Sequence, residues 1–372
     1  MEKQENENKN DGLEINFIPF KGILGDIKRR MPNYVDDYKK GFNSKVLASI
    51  LFLFFACLAN AIAFGGLTGL VTGNEIGTIE MIIATAIGGI VFAIFSGQPL
   101  TILGGTGPIV IFTGLLYQVC ESQGYPFLPV YAWVGIWSSL FMILCAIFNI
   151  SAIMSFFTRF TDEIFAALIA VIFIVEAVKD MSRGFFPEEG QTVVADVALL
   201  TLLLGIGTYI VARTLKNFAR TPYASRGFRN FISDFGPAIA IGVMTIFALQ
   251  INVELPAPKI PTEFTTTSGR GWLVDIWAVD VSVILMSIIP ALMATILLFL
   301  DQNITTRIVN SPGHKLTKGA GYHLDLLVVG ILTGACSIFG LPWIVAATVH
   351  AVNHVKSLAN MKVIDQGGQK KE

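Results

Sequence analysis

"SGQPLTILGGTGP", residues 96–108, sits inside Met81–Cys120, a stretch of the chain that carries no charged residue. Such a stretch is too long for one membrane crossing, which takes roughly 20 apolar residues. Gly97-Gln98-Pro99 supplies the interruption, because proline removes a backbone donor and pushes the residue before it toward extended conformation. A second charge-free stretch, Leu326–Val355, is cut in the same way by "FGLPWIVAAT", residues 339–348, with Gly340-Leu341-Pro342 at its centre. Each break predicts an extended segment feeding a half-helix, the first starting near Thr106 and the second near Thr348. Thr106-Gly107-Pro108 has the form of an N-cap followed by a first-turn proline. Irregular backbone survives at membrane depth only where it is buried in protein or lines a wet cavity. Paired breaks at corresponding places in two halves point to the central site of a transporter. The alternative is a pair of ordinary Pro/Gly kinks.

The rest of the composition agrees with a membrane chain. Residues are 53% hydrophobic and 14% charged, with a mean hydropathy of +0.65, where a soluble domain carries about a quarter charged residues. Further charge-free runs are Val46–Val71, Ser122–Thr158, Val197–Ala212, Phe235–Val253 and Val281–Leu300. The chain therefore reads as an all-α polytopic membrane protein. Ten spans are expected, at about 46–71, 79–96, 105–118, 131–154, 162–179, 194–212, 233–252, 282–306, 324–339 and 344–357. With the N-terminus inside, 22 of the 26 Lys and Arg residues fall on the cytoplasmic side, the bias that sets orientation. Both termini are then cytoplasmic. The first 45 residues are polar at the start, which argues against a cleavable signal peptide. Residues 13–45 interleave apolar and charged positions, as an interfacial amphipathic segment does. Residues 46–358 form the transmembrane domain, and 359–372 a polar cytoplasmic tail.

A net charge of −1 and the lack of a basic aromatic patch give no reason to expect nucleic acid. No nucleophile–base or metal constellation suggests an enzyme, and no cofactor is expected. Cys57, Cys120, Cys145 and Cys336 lie in or beside apolar runs without metal spacing, so they read as small packing residues.

Asp301, in "LLFLDQNITT" (297–306), follows twenty uncharged residues. A carboxylate at membrane depth is costly and marks a functional site. On a helix Asp301 and Thr305 share a face, an oxygen pair suited to a hard cation such as Na+ or to a proton on the aspartate. The other reading places Asp301 at the inner membrane boundary, meeting water or Arg307, since twenty residues already cover about 30 Å. His323 and Asp325 are expected to cap the ninth span. His354 reads as polar packing, and His350 lies just inside the last half-helix. Glu176 is given no role.

The stretch 299–358, with SGQPLTILGGTGPIVIF (96–112), TRFTDEIFAALIAVIFIVEA (158–177), ISDFGPAIAI (232–241) and SGRGW (268–272), closely resembles the bicarbonate transporter family of band 3 anion exchangers and sodium–bicarbonate cotransporters. The resemblance implies an inverted-repeat (seven plus seven) core/gate fold, with 46–252 as the first repeat and 282–358 as an incomplete second. It implies an ion site between the half-helices, lined by Gly105, Thr106, Asp301, Thr305, Val345, Ala346, Ala347, Thr348 and His350. Asp in a DQxIT context and VAATV without an arginine are similar to the sodium-coupled branch. Band 3 exchangers have Glu at position 301 and Arg at 350, and His350 matches neither branch. The implied function is secondary transport of bicarbonate or carbonate coupled to Na+ held by Asp301 and Thr305. A sodium-independent chloride/bicarbonate exchanger and a borate exporter are the alternatives. The family continues with four further helices, so a truncated or split, non-transporting membrane subunit, with a second chain supplying those helices, is a third. A homodimer in the lipid of the plasma membrane is the family expectation.

Overall fold

A computed structural model describes residues 12–15, 18–157, 159–186, 194–218, 221–225, 228–229, 232–233, 235–251, 253, 255, 264–316, 318–359, 364–366 and 369–371. The helices in order are α1 (Lys21–Gly41), α2 (Ser44–Val71), α3 (Thr78–Phe95), α4 (Gly107–Gln123), α5 (Phe127–Ile147), α6 (Arg159–Arg183), α7 (Ala195–Phe218), α8 (Gly236–Leu249), α9 (Val281–Met286), α10 (Ile288–Val309), α11 (Tyr322–Ile338) and α12 (Thr348–Leu358). Two short strands, β1 (Leu103–Gly104) and β2 (Val345–Ala346), pair antiparallel, with Leu103 opposite Ala346 and Gly104 opposite Val345. Near the C-terminus β3 (Ile364–Gln366) pairs with β4 (Gln369–Lys371).

Every one of the ten expected spans contains helix. Among the described residues, five helical stretches are long and apolar enough to cross a membrane: Lys45–Val71, Thr78–Phe95, Phe127–Ile147, Ala195–Phe218 and Val281–Val309. α4 and α12 are shorter because another helix and then extended backbone occupy the earlier part of each apolar run. The fourth span ends earlier than 154. Asn149 adopts a left-handed conformation (φ 59°) and a 3-10 turn, Ile150–Phe156, follows. The Asn149 side chain uses both ends there, accepting from the Gly22 amide at 2.9 Å and donating to the Ile18 carbonyl at 2.8 Å. An asparagine that satisfies neighbouring backbone tolerates the left-handed region best among non-glycine residues.

By its contacts the chain divides into two compact units. One comprises 1–53, 60–162 and 259–372; the other comprises 54–59 and 163–258. In the larger unit α5 packs along α11 and α10. Their shared core includes Tyr131, Val134, Met142, Leu298, Leu326, Val329 and Trp343, with Cys120 and Cys336 among its buried members. All four cysteines are free. Small residues set the helix spacing: a Cβ on Gly330 would lie 3.2 Å from the Met142 Cβ, and one on Gly334 would lie 2.7 Å from the Ser139 hydroxyl. Close approach through glycine is the usual device where helices pack without a solvent-driven core. The smaller unit holds α6, α7 and α8, with α7 packed on α8. The ring of Phe55 meets that of Phe235 edge-on within it, with centroids 6.3 Å apart.

Candidate functional site

Both breaks lie in the larger unit, and the β1–β2 pairing joins them. Beyond it the Ala347 amide donates to the Ile102 carbonyl at 2.8 Å. Extended backbone buried among helices leaves amides and carbonyls to satisfy, and each break does so by pairing with the other. The consequence is positional: the N-termini of α4 and α12, at Gly107 and Thr348, begin directly after two paired strands.

Thr106 occupies the N-cap position of α4 with extended backbone (φ −128°, ψ 149°), and Pro108 stands in the first turn. The expected hydroxyl cap does not form. The Thr106 hydroxyl donates instead to Asp301 Oδ2 at 2.9 Å. Ala347 precedes α12 and has no side chain that could cap it. Both half-helices therefore start without a side-chain cap, leaving first-turn amides and the positive end of each helix dipole without a side-chain acceptor.

α10 crosses behind the paired strands and continues eight residues beyond Asp301, to Val309. Asp301 is only 4% exposed. Of the two sequence readings, burial within the protein describes it and a solvated helix end does not. Arg307 is occupied elsewhere, donating to the Met154 carbonyl. One turn on, the Thr305 hydroxyl lies 2.6 Å from the Thr348 hydroxyl and 3.3 Å from the Ala346 carbonyl. Asp301 is thus tied to the first break and Thr305 to the second. Between them Gln302 accepts from the Ala346 amide at 3.2 Å. Asp301, Thr106, Thr305, Thr348 and the Ala346 carbonyl present only oxygen atoms, the donor set of a hard cation.

The remaining expected residues divide by role. Gly105 is needed for close packing: a Cβ there would fall 2.9 Å from the Phe64 Cβ and 3.1 Å from the Met81 methyl. Its carbonyl accepts from Asn60 at 3.3 Å. Val345 is fully buried in the hydrophobic core, so it offers the site backbone rather than side chain. Ala346 and Ala347 are buried, while Thr348 and His350 are half-buried in the first turn of α12. His354 matches the polar-packing expectation, with Nδ1 3.0 Å from the Leu100 carbonyl.

Asp325 does something other than cap its own helix. Its Oδ1 accepts from the amides of Gly97 (2.7 Å) and Gln98 (3.0 Å), the entry to the first break. The start of α11 is capped by Asp26 of α1, whose Oδ2 accepts from the amides of His323 (2.8 Å) and Leu324 (2.9 Å). The reason is geometric: Gly97 and Gly321 meet backbone to backbone, and a Cβ on Gly97 would lie 2.6 Å from the Gly321 Cα. That contact brings the Gly97-Gln98 amides within reach of Asp325. Sequence reading also missed Asn60, Gln302 and Tyr131. Gln302, in the polar cluster that ends an apolar run, and Asn60, an amide inside the charge-free run 46–71, carry a local signal; Tyr131 carries none.

Helices interrupted by extended backbone, with oxygen atoms gathered at the interruption, have the form of a membrane transporter's central site. The fold agrees: it matches the transmembrane domain of a cyanobacterium bicarbonate transporter, BicA, with a TM-score of 0.58 over 88% of this chain and 80% of that one, at 16% identity. The chain belongs to the family of the HCO3- transporter integral membrane domain, whose profile matches residues 18–188 and 184–372. It is 34% identical to the electroneutral sodium bicarbonate exchanger 1 of Mus musculus over 91% of its own length. It is 36% identical to the band 3 anion transport protein of Rattus norvegicus over 92%. The chain spans 37% and 39% of those relatives' lengths, respectively.

Proposed function

We propose that this chain moves bicarbonate or carbonate across the membrane together with Na+, by alternating access at the site between α4 and α12. In this reading Na+ sits among Asp301, Thr106, Thr305, Thr348 and the Ala346 carbonyl. The anion lies beside it against the first-turn amides of the two half-helices, with His350 at its edge. The observation that carries the proposal is the Thr106–Asp301 hydrogen bond at 2.9 Å. It brings the one carboxylate of α10 to the uncapped start of α4, next to strands that set the start of α12. A cation held there lowers the cost of desolvating the carboxylate and the anion together. The larger unit is the core domain and the smaller belongs to the gate, with 46–252 the first inverted repeat and 282–358 an incomplete second. The protein acts in the plasma membrane with both termini cytoplasmic, as a homodimer surrounded by lipid.

The test is uptake of radiolabelled Na+ into vesicles carrying the purified chain, with and without bicarbonate. Uptake rises with bicarbonate in the wild type. Asp301→Ala abolishes that rise, and Thr305→Val weakens Na+ dependence about tenfold, the equivalent of one lost ligand. Bicarbonate flux that proceeds without Na+ sinks the coupling and leaves a sodium-independent exchanger. That second reading has its own support, because identity to band 3 (36%) is no lower than that to the sodium bicarbonate relatives (34–35%).

A further inference from the structure

α1 has two faces of opposite character. Phe20 at its N-cap, then Leu24, Ile27, Met31, Val35 and Tyr38, and Phe42 just beyond its end, are all exposed. At 100° per residue they fall within an arc of roughly 80°, narrower than a core-facing stripe needs. Met31 is 64% exposed and Phe42 92%. The stripe runs into exposed Leu47, Ile50 and Leu51 of α2, a helix apolar enough to cross a membrane, with only Phe42 and Asn43 between the two helices. Along one border stand Lys21, Lys28 and Lys39, all exposed and all within about 20° of one line down the helix.

The opposite face is bonded to the rest of the larger unit at four points. Asp26 caps the amides of His323 and Leu324. Arg29 pairs with Asp26 and donates through Nε to the Ala320 carbonyl at 3.1 Å. Arg30 bonds Asp37 at 2.7 Å, and Asp37 in turn pairs with Lys318. These contacts converge on the turn before α11, whose Gly321 touches Gly97 and whose Asp325 holds the Gly97-Gln98 amides. Arg30, Asn33, Gln98, Lys318 and His354 line a cavity of about 610 Å³ between α1 and that break.

We propose that α1 is a lipid-operated latch: its apolar stripe docks into one leaflet of a membrane bearing anionic lipid, and its polar face thereby holds the entry to the first break in place. A lipid surface is the occupant because the stripe is continuous with a membrane-crossing helix and is bordered by a row of lysines. Amphipathic helices of this kind bind by apolar burial plus attraction to anionic headgroups. The proposal is independent of which ion the site carries.

Hydrogen exchange of the full chain in vesicles tests it, comparing phosphatidylcholine alone with an equal mixture of phosphatidylcholine and phosphatidylserine. Phosphatidylserine slows exchange in 21–41 by roughly tenfold or more, and the amides of Gly97, Gln98, His323 and Leu324 slow with it. High salt removes the difference. The variant Lys21→Gln/Lys28→Gln/Lys39→Gln exchanges like wild type in phosphatidylcholine and gains nothing from phosphatidylserine. Exchange that ignores lipid charge overturns the proposal. So does protection of 21–41 that leaves the four distant amides unchanged, or protection that rises with protein concentration, which would place a second copy on the stripe.

Discussion

The two breaks share a Gly-x-Pro signature and are secured by different physics. At the first, polar groups do the holding: Asp325 accepts from the Gly97 and Gln98 amides, and the Gln98 amide group donates to Asn310 (2.8 Å) and the Gly319 carbonyl (3.2 Å). At the second, aromatic rings do it. Trp343 stacks on Tyr131 with centroids 4.3 Å apart and planes within 7°. The Tyr131 hydroxyl donates to the Leu341 carbonyl (3.2 Å) and accepts from the Trp343 amide (3.1 Å), while the Trp343 indole donates to Ser337 (2.8 Å). Gly340, left-handed at φ 60°, ends α11 with the Leu341 amide returned to the Cys336 carbonyl, and Arg270 covers the Gly340 carbonyl at 2.8 Å. One break is held by charge and hydrogen bonding, the other by packed surface. The first is open to influence from salt, pH and α1; the second depends on how its rings pack.

The largest expected effect comes from emptying the aromatic side. Trp343→Ala removes one of the largest fully buried side chains and should cost about 3–5 kcal/mol, read as a lower thermal unfolding midpoint of the detergent-solubilised chain. A cost below about 1 kcal/mol would mean that stacking is not what holds this break. Next is Asp325→Ala, which strands two buried amides at roughly 1–3 kcal/mol each. Asp325→Asn keeps an acceptor and should recover most of that loss. If both variants unfold alike, the two hydrogen bonds at the first break are not its support. Tyr131→Phe keeps the ring and removes one hydroxyl that serves two backbone groups, for a cost of about 1–3 kcal/mol. Stacking should survive in it, so the tryptophan fluorescence of the folded protein should match wild type. An altered spectrum would show that the hydroxyl, not the ring, positions Trp343.

The positions of the breaks were readable because proline and glycine act locally. Asp301 and Thr305 stand out as candidates because a carboxylate is unusual in an apolar run and i, i+4 spacing defines a face. The means of support was not readable. Asp325 meets Gly97 across 228 residues, and Tyr131 meets Leu341 across 210. Nothing local to a tyrosine in "LPVYAWV" or an aspartate in "GYHLDLL" says which distant amide it will serve. Thr106 shows the same limit at short range. Its sequence context predicts a cap, but the hydroxyl is turned to donate to a buried carboxylate and no amide of α4 reaches its oxygen. The family resemblance implies site residues without implying their partners: Gln302 and Asn60 are seen only in the fold.

The smallest expected effect separates the two breaks by pH. Asp26 lies in α1, outside the spans, and burial pushes its carboxyl up to about 6 from the ordinary 3.8, against the lowering pull of the Leu324 and His323 amides and of Arg29. The groups facing it are Arg29 on its own helix and His323 and Asp325 on α11. A carboxyl raised in the folded state binds its proton more tightly folded than unfolded. Stability therefore grows as pH falls through about 6, is complete below about 3.8, and is lost again as pH rises. Between pH 7 and pH 5 the gain is about 1 kcal/mol at the α1–α11 contact, with no counterpart at the aromatic break. Corrected for the intrinsic fall of exchange with pH, the protection of the His323 and Leu324 amides should rise over that interval, while that of the Trp343 amide stays unchanged. Asp26→Asn should remove the pH dependence, because asparagine accepts the same two bonds without titrating. If His323 and Leu324 are equally protected at both pH values, Asp26 is charged throughout and burial has been overcome by the two amides and Arg29. The polar break would then be no more responsive to acid than the aromatic one.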